Sequence, residues 1–217
     1  MRRFLFYLLA ALLLPQAVKA QFNSFQAGSY VLARSPKVSH QSKLKLQGAY
    51  LLLVKTESGQ KTPFLPAEIS SFRIGQKKYV AVGGFAAKLG PGGDNLVSRG
   101  FAEELDSGRV VLMRFEYVVD SPMMMTSGGM MSGGSSFPRV LYLLRRSSEE
   151  KVESLPASWL TGGGKKFEEA LLPYLSSRPD LTQLVTDKSI TTDNLAAVIR
   201  ALNTNQPFMA SRPITNE

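Results

Sequence analysis

The sequence has 217 residues, 44% of them hydrophobic and 20% charged, with 26 Lys and Arg against 17 Asp and Glu for a net charge of +9. That composition excludes a chain disordered throughout, and the length fits one domain or two small ones. The absence of Cys excludes disulfides, lipidation of a cysteine and thiolate metal sites, so stability has to come from a packed core.

Arg2 and Arg3 precede an unbroken apolar stretch over residues 4–14, and Pro15 breaks it. Val18 and Ala20 then offer small or short side chains at the two positions a signal peptidase reads. Eleven apolar residues make a helix of about 16 Å, roughly half the hydrocarbon thickness of a bilayer. Residues 1–20 therefore read as a secretory signal, cleaved after Ala20 to leave Gln21 first, with the mature protein in the periplasm or outside the cell. Removing Arg2, Arg3 and Lys19, with no acid, takes the net charge from +9 to +6. A basic surface attracts nucleic acid, anionic lipid or acidic polysaccharide, and export argues against the first. Because Lys and Arg are scattered along the chain, the excess charge reads mainly as a solubilising one. The longest later apolar run, residues 49–54, has six residues, far short of a spanning helix, so no transmembrane segment is expected after cleavage.

Residues 21–160 read as a β-rich region. Between 28 and 65 the period is two, with Leu44, Leu46, Tyr50, Leu52 and Val54 on one side and Lys43, Lys45, Gln47 and Lys55 on the other. Gly48 predicts a bulge or bend within that strand. Glu57-Ser58-Gly59-Gln60 predicts a turn into a return strand over 62–65, and a second hairpin has arms at 69–74 and 79–85 joined at Gly75-Gln76-Lys77-Lys78. Residues 86–108, rich in glycine, read mainly as a connection. Residues 109–119 form the clearest strand, with Val111, Met113, Phe115, Tyr117 and Val119 on one face, and another strand follows at 139–146. Between them, residues 120–136 form a Met/Gly/Ser-rich, low-complexity hairpin tip.

Residues 161–205 change to a period of 3.6. Phe167, Leu171, Tyr174 and Leu175 share a helical face, with Pro173 kinking or shortening that helix. Asp180 is the expected N-cap of a short helix through Leu181, Leu184 and Val185. Thr192 is the expected cap of another, with Leu195, Val198, Ile199 and Leu202 in one stripe and Asn203 at its end. The helices are expected to pack on the sheet, and residues 206–217 to fray. Strands first and helices last predict an α+β fold, a mostly antiparallel sheet followed by a small C-terminal helical segment.

Few residues carry recognisable chemistry. A Ser-His pair needs a base, and the single His40 sits in a polar run that reads as a surface turn. One His without Cys also lacks the ligands of the common zinc sites. Glu103, Glu104 and Asp106 form a short acidic run that reads as a solvated loop; on a strand, Glu103 and Glu104 would point to opposite faces. Gly162-Gly163-Gly164-Lys165-Lys166 lacks the spacing of a phosphate loop and reads as a linker into the helix of Phe167. Met123, Met124, Met125, Met130 and Met131 are soft thioether ligands suited to Cu(I), yet no His is near. They read first as a low-complexity insertion, then as a partner-contact loop, then as a copper site.

Two stretches resemble a loose group of small exported proteins of unknown function from environmental Gram-negative bacteria. One is Gly28-Ser29-Tyr30-Val31-Leu32 followed by Thr62-Pro63-Phe64-Leu65-Pro66-Ala67-Glu68-Ile69-Ser70-Ser71-Phe72, with Ser71 where the group often has Gly. The other runs from Tyr142 through Trp159 to Leu202, similar to the group's strand-then-helices ending. The resemblance implies no activity. The expectation is thus a non-enzymatic, exported cell-envelope protein, a binding or structural module whose partner is an unknown envelope component or protein, with no catalytic, cofactor-binding or metal residues assigned. The alternatives are a Met-loop copper protein and an envelope-sugar hydrolase. The latter requires two of Glu68, Glu103, Glu104, Asp106 and Glu116 to converge at roughly 5 to 9.5 Å.

Overall fold

The computed structural model describes residues 24–90, 93–120, 124–125, 131–132, 134, 136–156 and 164–209. The expected signal sequence, Met123, Met130, Trp159, Gly162 and Gly163 and the end of the tail lie outside them.

The fold is α+β, built on a ten-stranded antiparallel sheet. Its strands in chain order are β1 (Gln26–Leu32), β2 (Ser39–Gln47), β3 (Leu51–Lys55), β4 (Lys61–Phe64), β5 (Ile69–Ile74), β6 (Lys77–Val82), β9 (Gly100–Asp106), β10 (Val110–Asp120), β13 (Ser136–Arg146) and β14 (Glu153–Leu155). They lie side by side as β14-β13-β10-β9-β6-β5-β1-β2-β3-β4. β7 (Phe85–Gly90) and β8 (Gly93–Val97) form a separate hairpin, and β11 (Met124–Met125) pairs with β12 (Met131–Ser132) as a short ribbon beyond β10 and β13. The described helices are α1 (Gly164–Leu175), α2 (Pro179–Thr186) and α3 (Leu195–Thr204), none of them long and apolar enough to cross a membrane.

Alternation gives the sheet two faces. On the inner face, Val110 and Leu112 of β10, Leu144 of β13 and Leu155 of β14 join Phe167, Leu171, Leu181, Leu195, Val198 and Ile199 in a core roofed by the helices. At the other end the same face closes on itself, and Phe101 of β9 meets Leu44, Leu52, Ile69 and Phe72. On the outer face Val111, Met113, Phe115 and Leu143 are covered by Phe85, Ala87 and Val97 of the β7–β8 hairpin. Both sides of β10 are therefore buried over residues 110–113, which gives this strand its near-continuous apolar run.

Several boundaries differ from expectation, each for a local reason. Gly48 makes the β2–β3 turn at φ 58° rather than a mid-strand bulge, and Gly59 and Gly75, in the two expected turns, also have positive φ, 87° and 57°. The glycine-rich stretch 86–108 contains most of β7 and all of β8 and β9. Glycine here permits close approach: a Cβ on Gly100 would lie 2.7 Å from the Phe115 ring, and one on Gly83, just before the stretch, 1.9 Å from the Ser98 carbonyl oxygen. The hairpin of β10 and β13 stays paired out to Asp120 and Ser136, so β13 starts three residues before the expected 139. Pro173 lies inside α1, two residues before its end, where it lacks the N–H that would close an i→i−4 bond, and the helix stops at Leu175. Asp180 falls within the first turn of α2 and pairs with Arg178 at 2.7 Å, and Arg178 itself holds the N-cap position. Residues 192–194 form a turn, and Asn194 precedes α3 while accepting from the Thr191 amide at 2.9 Å. His40 lies within β2, half-buried, stacked on Tyr30 at 5.1 Å.

Candidate functional site

The curl of the sheet is closed by a wedge. β9 and β10 pair only as far as Glu103 and Arg114. Beyond that point the β2–β3 turn enters the gap, and the Phe101 amide donates to the Ala49 carbonyl at 2.7 Å. Tyr50 then lies edge-on to Phe115, ring centres 6.0 Å apart. The space left between wedge and inner face is a cleft of about 450 Å³.

Its walls are mostly apolar and aromatic, among them Leu44, Leu46, Ile74, Phe101 and Tyr79, with Tyr50, Tyr117 and Val118 toward β10. Tyr79 stacks flat on Phe72 at 4.8 Å, and Phe72 meets Phe101 edge-on at 5.0 Å, so this wall is rigid. Its floor is ionic. Arg114 Nη2 donates to Glu103 Oε2 at 2.7 Å and to Glu116 Oε1 at 2.9 Å, and Lys77 Nζ stands 3.4 Å from the same Glu103 oxygen. Glu103 is 12% exposed and Glu116 61%, so the triad runs from the buried floor to the rim. Burial works against the charge of Arg114, but Glu103 and Glu116 outweigh it and raise its pKa above the ordinary arginine value. Burial, reinforced by Glu103 and Glu116 and opposed by Arg114, pushes the Tyr79 phenol up to about 12. It is a neutral hydrogen-bonding group across the physiological range.

The acidic run that reads as a solvated loop is instead strand β9, with every member paired. Glu103 faces the cleft, and Glu104 faces outward to Lys78 at 2.8 Å. A bulge sets Asp106 opposite Leu112 while Glu104 stays opposite Met113. Asp106 thereby turns toward α3, where Arg200 Nε and Asn203 Nδ2 donate to it at 3.1 and 2.7 Å. Glu68 accepts from the Leu65 amide at 2.8 Å in a turn away from the cleft. Of the five carboxylates, then, Glu103 and Glu116 converge. Their bonded oxygens are no farther apart than the sum of their distances to one arginine nitrogen, within reach of a retaining glycosidase pair. That nitrogen, however, occupies the space where a scissile oxygen would sit. Among the described residues no three His, Asp or Glu gather as a metal site. The backbone of Met124, Met125 and Met131 forms the β11–β12 ribbon.

Sequence reasoning missed Arg114, Tyr79, Lys77 and Tyr50, which lie in separate strands and turns and meet only through register. The one available signal was an arginine and a glutamate, Arg114 and Glu116, breaking the apolar run of β10. The chain matches no family model, and neither a curated protein nor a solved structure is significantly similar to it.

Proposed function

We propose that the chain is an exported cell-envelope protein that acts as a non-enzymatic binding module, its ligand a small molecule with apolar surface and at least one polar group. Export is supported by the order basic, apolar, Pro15, Val18 and Ala20 at the start of the chain. The binding reading rests on one observation. The cleft combines a preformed aromatic and aliphatic wall with an ionic floor whose Arg114 is already held by two carboxylates, the usual composition of a small-molecule site. A floor whose charges are mutually satisfied orients a ligand through hydrogen bonds without demanding a charged one.

The test is solvent extraction of protein recovered from its native envelope, followed by mass spectrometry, with wild type beside Ile74→Trp. Ile74 lines the cleft and is half-buried, so an indole there fills the space. The expected result is a stoichiometric small molecule with wild type and its loss in the variant; equal recovery from both would overturn the reading. The hydrolase reading keeps one supporting observation, the convergence of Glu103 and Glu116. It requires turnover of an envelope saccharide that is abolished by both Glu103→Gln and Glu116→Gln.

A further inference from the structure

The lysines that are scattered in the sequence are gathered by the fold. Lys43 of β2 lies directly opposite Lys55 of β3, and Lys55 directly opposite Lys61 of β4. Leu44 and Val54 beside them point into the core, so the three lysines stand in one row on the outer face, at the strand spacing of about 4.8 Å. Among the described residues no carboxylate pairs with any of the three. The Phe25 ring instead lies 5.9 Å from the Lys55 ammonium and 5.7 Å from that of Lys61, a cation–π contact that holds the two heads together. Like charges directly opposite each other in a sheet destabilise it, so this row is unfavourable to the free protein and is relieved by an anionic surface.

We infer that this outer face docks on an anionic lipid bilayer. The choice of lipid over a soluble polyanion comes from the neighbouring rungs. On β3 and β4 the next residues on the same face are Leu53 and Pro63, paired with each other, and then Leu51, with Lys45 and Gln47 of β2 opposite Leu53 and Leu51. None belongs to the three cores, and Leu65 just past β4 is 56% exposed. Apolar side chains beside a cationic row suit the boundary between headgroups and acyl chains; a polysaccharide uses only the charge. β4 is also the sheet's edge strand, so a flat surface reaches this rung unobstructed from that side.

The experiment is co-sedimentation of the full protein with phosphatidylcholine vesicles, with and without phosphatidylglycerol, at several salt concentrations. Binding is expected only with phosphatidylglycerol and to weaken with salt. Each lysine near such a surface contributes roughly fivefold, so Lys43→Gln, Lys55→Gln and Lys61→Gln together should weaken binding about a hundredfold. A control with Lys37→Gln, Lys165→Gln and Lys166→Gln, exposed positions elsewhere, carries the same net charge and should keep most of it. Lys61→Glu provides a second route, pairing with Lys55 while reversing one charge, and should lose about twenty-fivefold by the same measure with no fall in Tm. Equal binding to neutral vesicles, equal loss in the control, or dextran sulfate binding that depends on the row without any vesicle binding would each overturn the inference. The cleft reading would survive any of them.

Discussion

Asn203 shows how one side chain can do the work of a strand. Its Oδ1 accepts from the Val110 amide at 2.9 Å, and its Nδ2 donates to the Val110 carbonyl at 2.8 Å and to Asp106 at 2.7 Å. α3 is thereby hydrogen-bonded to the β9–β10 turn as if it were a neighbouring strand. Gly108 makes room, since a Cβ there would lie 2.6 Å from the Asn203 side chain. Asn203→Ala should cost roughly 1–3 kcal/mol in urea unfolding, the usual penalty for orphaned polar groups. A shift below about 0.5 kcal/mol would show the contact to be dispensable. Two phenols give a second prediction. Tyr79 and Tyr174 are both pushed up to about 12, each chiefly by burial and next by a carboxylate, Glu103 and Glu153 respectively. Above pH 10 the unfolded chain releases these protons while the native one keeps them. Their contribution to stability is therefore whole below pH 10 and lost as the pH rises toward 12. Alkaline titration by phenolate absorbance should show a late phase that loses one equivalent in Tyr79→Phe and another in Tyr174→Phe. Neither tyrosine is marked in the sequence, because what sets it apart is the carboxylate that the fold brings beside it.

At the scale of elements, α3 is the clearest case of a helix that needs its sheet. Its ten residues are too few for independent stability in water, and Leu195, Val198, Ile199 and Leu202 are all buried against the β10, β13 and β14 core. Ile199→Ala should cost about 2–5 kcal/mol, read as a shift in the urea midpoint at unchanged slope. The apolar stripe of α3 was legible because four aliphatic residues recur at helical spacing, and the period-two strands were legible for the same reason. Caps were not. Arg178 donates to the Ala201 and Gln206 carbonyls and to Asn205 at 3.1 to 3.2 Å, so the polar groups at the end of α3 are satisfied by the N-cap residue of α2. β7 to β9 were illegible because glycine there serves close strand approach, whereas by composition it signals a loop.

Across the whole molecule, the α+β class was legible from the order of periodicities, whereas the site was not. Glu103, Arg114 and Glu116 belong to two strands, and the Lys43, Lys55 and Lys61 row to three others; pairing register decides both. Register in turn depends on bulges such as the one that turns Asp106, which no local pattern announces. Export is checked independently of the fold: expression with residues 1–20 in a Gram-negative host should yield envelope or medium protein beginning at Gln21. An intact Met1 on membrane-embedded material would refute it.

The turn wedged between β9 and β10 has a consequence in time. Most strand pairs here join close neighbours in sequence, but the Ala49 carbonyl meets the Phe101 amide across a loop of about 50 residues, whose closure carries an entropic cost and is therefore expected late in folding. The wedge then acts as a latch that slows opening without hastening assembly. Tyr50→Ala should accelerate unfolding in a denaturant chevron and leave the refolding limb almost unmoved, with φ below about 0.3. A protein so latched would owe its persistence to the height of an exit barrier.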